Sequence, residues 1–574
     1  MKLDCRSRLK RMSQQLGLVF CLSLPLAANA TQTGSVNPAA VNPANILNTL
    51  NQTLPGTQVP AAGGLGVESS HEDMKNVDAV TTKIQLHQVV MKGALHPVPA
   101  NVTAIYQAEI GKRLSIRQIQ AMADKMEATY RDDGYILVQV ILPPQEIDPA
   151  TGVVNIQIVE GQIERVIFTG DNPKGARTQL QRYAAQIEAE DPITYKTLDR
   201  FLNLANQIPG IDVSAQIVPD KLVVGAANLL IHVSRTPYTT FMNMNNRGTD
   251  YIGPFQASLG GAVYDILGAD ALALTYATTP DYFKEMQYGS VSYDLVLGHY
   301  ATEINPSISF TETQPGSTLS AFEMKGQSSQ YALNVNQPLL VSTAQNLTLQ
   351  SGVSHTNSSN DVFGNETLYE DHITAVDLGL NYQGMFLNGF NNITLSSTTG
   401  LPILDAPSSE SNPSIMGGQT QFIKVNLTGS RIQYLTQRFS YALGAQMQRT
   451  SDTLLSSEQI GYGGQTFGQG FSPYVISGDN GYMGSMALRY DLPTFTGVSL
   501  LQPQIFYDAG AVNLNAPPAG YASSAQAESA GVGLLLGTLH NWQMGLILAK
   551  PLSIRGASGV SMGWQGFFNI TGLF

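Results

Sequence analysis

The segment TAVDLGLNYQG, residues 374–384, alternates regularly between two kinds of side chain. Its large apolar residues all fall on even-numbered positions: Val376, Leu378, Leu380 and Tyr382. The segment RFSYALGAQMQ, residues 438–448, has the same period of two. Because successive side chains of a β-strand point to opposite faces, each segment predicts a strand with one apolar face and one polar or small-residue face.

Alternation of this kind runs through residues 237–574, a region of 338 residues with almost no helical periodicity. Two architectures contain such strands, a soluble β-sandwich and a transmembrane β-barrel. Charged residues make up only 13% of the chain, whereas a typical soluble domain has about 25%. We therefore predict a C-terminal transmembrane β-barrel, with about 16 antiparallel strands at about ten residues per strand plus turns and loops.

The last predicted strand, WQGFFNITGLF at residues 564–574, ends on an aromatic residue. Counting back in twos from Phe574 places large apolar side chains on one face, among them Ile570 and Phe568. An aromatic residue at the end of such a strand suits the membrane–water interface. We interpret Phe574, Ile570 and Phe568 as a C-terminal assembly signal, with the barrel assembly machinery as the partner during biogenesis.

Residues 1–30 have the features of a secretory signal peptide. Five basic residues precede an apolar stretch at 16–26, and Ala28 to Ala30 offer small residues for cleavage. The apolar stretch is far shorter than the ~20 residues of a membrane-spanning helix. Both cysteines of the chain, Cys5 and Cys21, lie in this segment, so we expect a mature chain without disulfides. Removing the segment would change the formal net charge from −12 to −16, a sign that argues against nucleic-acid binding.

Residues 81–161 predict a small α+β module. KIQLHQVVM (83–91) is typical of a strand, and a helix should begin at a capping box of Ser115 and Gln118 and end at Gly134. ILVQVILP and GVVNIQIVEG then predict two strands. Residues 162–236 repeat this order, with IERVIFTG, two helices, IDVSAQIVP and NLLIHVSR. We predict two tandem modules.

Residues 31–80 are rich in Asn, Pro, Gly, Thr and Ala. Within them PANILNTLNQ, residues 43–52, favours a short helix with Ile46, Leu47 and Leu50 on one side. Residues 55–68 favour a flexible linker. The same composition is also that of a disordered leader, so both interpretations of residues 31–80 stay open.

The chain as a whole resembles the ShlB/FhaC/HecB transporters of two-partner secretion, in which POTRA modules precede an outer-membrane barrel. Landmarks similar to those of the family occur in both modules and in the barrel: YRDDGYILVQVILPPQEIDPATGVVNIQIVEGQIERV (130–166), LNLANQIPGIDVSAQIVP (202–219), NMNNRGTDYIGPFQASLG (243–260) and QIFYDAGAV (504–512). The resemblance implies POTRA 1 at 81–161, POTRA 2 at 162–236 and a barrel at 237–574 in outer-membrane lipid. It implies export of a large haemolysin- or adhesin-type partner protein, with no catalytic residue, metal, cofactor or nucleic acid.

The stretch FGQGFSPYVISGD, residues 467–479, resembles the family's long loop, here near 455–480, which folds back inside the barrel. The family has an arginine in the loop motif, thought to pair with a strand aspartate, here Asp508. This chain has Gln469 between Gly468 and Gly470, followed by Phe471. A glutamine can hydrogen-bond a carboxylate but brings no charge, so we expect a weaker latch. A surface loop whose glycines serve only its turns is the alternative.

By the same resemblance, the helix at 43–52 would plug the pore. The POTRA modules would capture an extended client segment by strand addition or by helix-groove packing. Candidate edges for strand addition are Ile136–Leu142 and Ile211–Val218. Export would draw its energy from the client folding outside, because the periplasm has no ATP and the sequence contains nothing similar to a P-loop.

Three other functions fit parts of the sequence. An outer-membrane protein assembly factor of the same superfamily usually has more POTRA modules than two. An enzyme is suggested only by GVSMG, residues 559–563, where Ser561 satisfies the G-x-S-x-G pattern; a nucleophile elbow requires a strand-turn-helix setting. A passive porin needs no periplasmic modules.

Overall fold

A computed structural model of the chain describes residues 37–53, 65–67, 83–148, 151–220, 225–280, 284–364, 366–407, 412–517, 522–539 and 541–574. The predicted signal peptide at 1–30 lies outside the described residues, as does most of the predicted linker. The chain divides into two compact units. One contains the two α+β modules, and the other contains the barrel together with residues 37–53.

The described residues begin with a 3-10 turn at Pro38–Ala40, which is followed by helix α1 (Pro43–Thr53) and strand β1 (Leu65–Val67). The segment predicted to be helical at 43–52 is therefore a helix, and its three apolar residues Ile46, Leu47 and Leu50 are buried. A disordered leader does not describe these residues. Strand β1 corrects the expectation that all of 55–68 is linker, because Leu65–Val67 pairs with a strand of the second module.

The first module has five strands and two helices: β2 (Lys83–Gln85), β3 (Gln88–Lys92), α2 (Ala100–Gln107), β4 (Arg113–Ser115), α3 (Ile116–Asp132), β5 (Gln139–Ile141) and β6 (Val153–Val159). β3 pairs in parallel with β6, and β6 pairs antiparallel with β5. The single strand predicted over 83–91 is interrupted at Leu86, whose side chain turns into the core of the module. The strand predicted in ILVQVILP is limited to β5.

Helix α3 has both of its predicted ends. The Ser115 hydroxyl accepts a hydrogen bond from the Gln118 amide at 3.3 Å, and the Gln118 side chain accepts one from the Ser115 amide at 2.8 Å. Gly134 follows the last turn with φ +96, a conformation that glycine adopts readily. The predicted capping box and glycine stop are confirmed.

The second module has three strands and two helices: β7 (Gln162–Gly170), α4 (Arg177–Glu188), α5 (Tyr195–Asn206), β8 (Ile211–Pro219) and β9 (Ala226–Arg235). β7 pairs in parallel with β9, and β9 pairs antiparallel with β8. This is the same order and direction of strands as in the β3-β6-β5 sheet of the first module. The two modules are structural repeats. Strand β1 extends the second sheet by pairing in parallel with residues Ala215–Ile217 of β8.

Sixteen strands form a closed antiparallel barrel. They are β10 (Tyr238–Asn245), β11 (Gln256–Tyr264), β12 (Asp270–Thr278), β13 (Met286–Leu297), β14 (Thr302–Thr313), β15 (Lys325–Val341), β16 (Gln345–Val362), β17 (Glu366–Phe386), β18 (Gly389–Leu401), β19 (Ile423–Tyr434), β20 (Phe439–Thr450), and, after the short strands β21 (Ile460–Tyr462) and β22 (Ile476–Gly478), β23 (Asn480–Tyr490), β24 (Val498–Asn513), β25 (Ser524–Thr538), β26 (Trp542–Arg555) and β27 (Gln565–Leu573). The first strand closes the barrel on the last, with Met244 opposite Ile570.

The barrel wall has the two faces that its sequence predicts. Along β17, Val376, Leu378 and Leu380 are exposed on the outside, whereas Ala375 is buried. The outer face is apolar and suits lipid, and the inner face is mostly polar, as in transmembrane barrels. The turns at one end are short, for example Leu387–Asn388, and the loops at the other end are longer; in such barrels short turns face the periplasm.

A helix that crosses a bilayer must be long and apolar, and the helices of the described residues can be judged by that standard. None of them is long and apolar enough to cross a bilayer.

Candidate functional site

A long loop, residues 451–479, joins β20 to β23 and folds back into the interior of the barrel. Its strands β21 and β22 pair as a hairpin. An apolar cluster fixes the hairpin and the loop tip to the inner wall: Ile460, Tyr462, Phe467, Phe471, Ile476, Met483, Val512 and Ala527. The burial of these side chains is the main source of stability for the inward position of the loop.

The tip of the loop is a tight turn formed by the predicted motif. The Phe471 amide donates to the Gly468 carbonyl at 2.8 Å, which closes a four-residue turn around Gln469 and Gly470. Gly468 has φ +74, and a Cβ at this position would lie 2.6 Å from the Tyr462 ring. Both the backbone conformation and the lack of space therefore require glycine at position 468.

The structure brings Gln469 and Asp508 together. The backbone amide of Gln469 donates to Asp508 Oδ2 at 2.8 Å, and the Gly470 amide donates to Ser529 Oγ at 3.3 Å. The Gln469 side chain also lies close to this carboxyl group. Gln469 is only 5% exposed and Asp508 is fully buried, so the tip lies against the wall and not at the surface. Main-chain donors of the loop tip occupy the place of the expected arginine.

A cation reaches the tip from another part of the barrel. Arg247 follows β10, is buried, and its Nη1 donates to the Gln469 carbonyl at 2.8 Å. Its Cζ lies 3.7 Å from the centre of the Phe567 ring, and its charge acts on Asp508. Sequence reasoning gave Arg247 no role. The available signal was an arginine that ends the uncharged segment 237–246.

Two further charged contacts hold the base of the loop. Asp479 is fully buried, and its carboxylate accepts hydrogen bonds from the amides of Leu454 at 2.9 Å and Asn515 at 2.8 Å. Lys424 on β19 forms an ion pair with Glu458 at 2.7 Å. Sequence reasoning missed these three charged residues, because nothing local links Lys424 or Asn515 to the loop.

Helix α1 lies in the barrel interior beside the loop. Its apolar stripe packs against side chains of the inner wall and the first hairpin, so that one buried cluster contains Ile46, Leu47, Leu50, Ile252, Ala277, Met286 and Tyr288. On the wall side, Asn51 donates to Gln330 Oε1 at 3.2 Å and accepts a hydrogen bond from the Tyr288 hydroxyl. The helix is therefore attached to the wall by both apolar and polar contacts.

The opposite side of α1 contacts the loop. Asn45 Nδ2 donates to Ser456 Oγ at 3.3 Å, and Asn48 Nδ2 donates to the Ser457 carbonyl at 3.3 Å. Ahead of the helix, Asn37 Nδ2 donates to the Tyr474 carbonyl at 2.8 Å. The helix and the loop thus share contacts inside the barrel, and movement of one changes the surroundings of the other.

Two residues of the predicted assembly signal lie on the outer face of β27, and the third, Phe574, directly follows the strand. Phe574 is exposed and packs edge-on against Trp542, with ring centres 5.6 Å apart. Ile570 and Phe568 lie at alternate positions and point to the same side as Phe574, whereas Asn569, between them, is buried on the inner face. This placement leaves the role of Phe574, Ile570 and Phe568 in assembly a prediction.

The remaining motif, around Ser561, lies in the loop between β26 and β27. Within residues 541–574, all of them described, a strand and no helix follows Ser561. The strand-turn-helix setting of a nucleophile elbow is therefore absent around this serine. Over the described ranges, no group of three or more His, Cys, Asp or Glu side chains is placed to hold a metal ion.

Comparison with protein families decides the relationship that these features suggest. The model of the haemolysin secretion/activation proteins ShlB/FhaC/HecB matches residues 225–536, and the model of the ShlB-type POTRA domain matches residues 84–161. The chain belongs to the ShlB/FhaC/HecB family. It is an outer-membrane transporter of two-partner secretion, with its barrel in the outer membrane and its POTRA domain in the periplasm.

Individual relatives of this ShlB/FhaC/HecB protein are distant in sequence. The heme/hemopexin transporter protein HuxB of Haemophilus influenzae is 22% identical, over 81% of this chain and 83% of its own length. The solved structure of CdiB from Escherichia coli covers 88% of this chain and 93% of its own, with a TM-score of 0.72 and 20% identity. BamA from Haemophilus ducreyi lacking POTRA domains 1–3 covers 86% of this chain and all of its own, with a TM-score of 0.52 and 13% identity. Such structural likeness supports the fold of POTRA domain and 16-stranded barrel.

Proposed function

We propose that this transporter exports a large secreted partner of haemolysin or adhesin type, with its POTRA modules capturing the client and its barrel conducting it. The observation that carries the proposal is the barrel interior, where α1 and the loop 451–479 lie together against the inner wall. A barrel of 16 strands encloses these elements and has room for an extended polypeptide once they move. The client's own folding outside the cell supplies the driving force.

In this proposal α1 is a plug that leaves the pore for transport, and its contacts support a reversible attachment. The helix, PANILNTLNQT, contains no charged residue, so no ion pair must be broken when it moves. Its polar contacts are neutral hydrogen bonds, each contributing about 0.5–1.5 kcal/mol net. The apolar stripe of Ile46, Leu47 and Leu50 supplies most of the remaining attachment.

The plug has a direct test, because a Cβ placed at Gly326 would lie 3.2 Å from the Pro43 ring. The double variant Pro43→Cys/Gly326→Cys should form a disulfide that locks α1 in the pore and stops secretion. Adding a reductant should restore secretion, and each single cysteine variant is the matched control. Normal secretion by the oxidised, cross-linked protein would contradict a mobile plug.

We propose further that residues 81–161 and 162–236 are POTRA 1 and POTRA 2 and that they bind the client by strand addition. The edge of β5 supports this, because within the described residues β5 pairs with β6 alone. The predicted edge Ile211–Val218 is different. Its central residues Ala215–Ile217 already pair with β1, so a client strand would have to displace the chain's own segment.

The function as a whole is tested by comparing the secreted and surface proteins of wild-type cells with those of a strain that lacks this gene. Loss of one or two very large proteins, with other outer-membrane proteins intact, is the expected result and identifies the client. A broad fall in barrel proteins would instead indicate an outer-membrane assembly factor. No change in either class would contradict both functions.

A further inference from the structure

Gln469 occupies the motif position where the family resemblance expects an arginine, yet the site still contains a guanidinium group. Arg247 lies 222 positions earlier in the chain, and its Nη1 binds the Gln469 carbonyl at 2.8 Å. The amide of the same residue, Gln469, binds Asp508 at 2.8 Å. A cation and an anion of the wall therefore hold the two backbone polar groups of one residue at the loop tip.

The environment of Arg247 is that of a fixed, buried cation. Arg247 is 5% exposed, and its Cζ stacks on the Phe567 ring at 3.7 Å, a geometry that stabilises a guanidinium. Its own amide donates to Asn245 Oδ1 at 2.9 Å, and the next amide, of Gly248, donates to the Pro254 carbonyl at 3.0 Å. The first hairpin thus turns tightly enough to direct Arg247 inward.

Another basic residue approaches the tip, but only with its backbone. A Cβ at Gly470 would lie 3.4 Å from the Lys550 carbonyl carbon. The Lys550 side chain is exposed, whereas Ala549 beside it in β26 is buried on the inner face. Lys550 therefore points away from the interior, and its charge does not serve the tip. Arg247, by contrast, acts electrostatically on Asp508.

We propose that Arg247 is a positioning residue of the loop and supplies, from the first barrel hairpin, the positive charge that Gln469 lacks. The family resemblance places a positive charge in the moving loop, whereas in this chain the positive charge belongs to Arg247 on the barrel wall. Release of the tip then requires breaking the contact between Arg247 and the Gln469 carbonyl as well as the contact with Asp508. The inference rests on the proposed function in one respect: movement of the loop matters because the barrel transports a client.

The test measures docking of the loop tip directly and does not depend on secretion. Ser529 is fully buried beneath Gly470, whose amide binds its hydroxyl. Ser529→Cys is nearly isosteric, and the only cysteines in the sequence are Cys5 and Cys21, both in the predicted signal peptide. The rate at which a small charged maleimide labels the thiol introduced by Ser529→Cys in purified full-length protein therefore reports how often the tip leaves the wall.

Four proteins containing S529C form a double-mutant cycle. R247Q should raise the labelling rate at least tenfold, since the tip loses its cation. Q469R alone should also raise the rate, because two guanidinium groups would then crowd one carboxylate. R247Q together with Q469R should return the rate to within about threefold of the parent, because the charge is back at the loop. A single cation at either position should suffice, and two should be worse than one.

Two outcomes overturn the proposal. Unchanged labelling in R247Q would mean that Arg247 does not hold the tip. Labelling that is fast in R247Q and stays fast in R247Q/Q469R would mean that Arg247 only maintains the local structure and that its charge is not what holds the tip. Arg431→Gln is the matched control, since Arg431 binds Asn391 at 2.7 Å near the turn at 387–388 and should not affect the tip. Heat-dependent gel mobility verifies that each barrel is folded. If R247Q does not fold, recovery of folding in the R247Q/Q469R protein supports the proposal and its absence opposes it.

Discussion

The backbone amide of Gln469 donates a hydrogen bond of 2.8 Å to Asp508 Oδ2 in the interior of the barrel. A charged acceptor on the wall therefore binds the main chain of the loop and does not depend on the identity of the side chain at position 469. This arrangement explains how the tip of the loop docks although the motif lacks an arginine. It also makes Asp508 the residue whose charge is most directly testable.

Asp508→Asn should loosen the loop, because it retains an acceptor oxygen but removes the charge. A hydrogen bond to a charged group contributes about 1.5–3 kcal/mol and a neutral one about 1 kcal/mol. The expected loss of about 1–2 kcal/mol corresponds to a roughly tenfold rise in protease cleavage within residues 451–479. Asp294→Asn, at a buried carboxylate of β13, is the control and should leave cleavage unchanged. Equal cleavage of the Asp508→Asn and parent proteins would refute the role of this charge.

Gly468→Ala should destabilise the tip more than a glycine substitution elsewhere. The left-handed backbone costs a non-glycine residue about 1–2 kcal/mol, and the new Cβ would also meet the Tyr462 ring at 2.6 Å. Gly417 has a similar φ of +77 with nothing near its Cβ position, so Gly417→Ala isolates the backbone cost. Hydrogen exchange of residues 463–471 should rise in Gly468→Ala only. Exchange of residues 463–471 in Gly468→Ala that is no faster than in Gly417→Ala would show that the tip accommodates a side chain at position 468.

Leu47→Ala should weaken the attachment of α1 to the pore. Leu47 is fully buried in the cluster with Ile252 and Tyr288, and truncation of such a residue costs about 2–5 kcal/mol. The expected result is a larger mean ion conductance in planar bilayers, since the helix leaves the interior more often. Gln52 is exposed at the end of the helix, so Gln52→Ala should conduct like the parent. Unchanged conductance in Leu47→Ala would argue against α1 as the element that limits it.

The second module should lose stability in alkaline solution through Tyr183. Burial raises the pKa of Tyr183 to about 12, so the folded state favours the neutral phenol. The stabilisation is complete below the ordinary pKa of about 10 and is lost as the pH rises from about 10 to 12, by about 2–3 kcal/mol. Helical circular dichroism of the full chain should show this loss, and Tyr183→Phe should reduce it. Tyr195 is 47% exposed, so Tyr195→Phe should leave the dependence of stability on pH unchanged. The same pH dependence in the parent and both variants would contradict the assignment of this loss to Tyr183.

The pairing of β1 with β8 should protect the edge of the second module. Gly66 lies opposite Gln216 in the parallel register, and Gly66→Pro removes a backbone donor and disfavours pairing. Hydrogen exchange of residues 215–217 should then accelerate at least tenfold, with no change in 139–141 at the open edge of the first module. Protection that persists in Gly66→Pro would mean that β1 does not cover this edge.

Much of the fold followed from local patterns. The capping box of Ser115 and Gln118 depends on residues within one turn of each other, and Gly134 acts at the end of the same helix, so the sequence contains the whole signal. The alternation in residues 374–384 identified the outer face of β17 for the same reason. Strand β1 was missed because three residues of an unremarkable linker gain their structure only by pairing with β8, about 150 positions later.

The sequence by itself determined that the chain has two α+β repeats and a barrel of about 16 strands with an apolar outer face, because periodicity and turn residues are local properties. It also identified the loop motif and Asp508, through resemblance. Only the tertiary structure decided what holds the loop. Closure of the barrel pairs β10 with β27, and this pairing brings Arg247 to Phe567 and to the tip at Gln469. A contact created by joining the first strand to the last has no local signature. The sequence shows an arginine at the end of the uncharged segment 237–246 but cannot pair it with the loop tip.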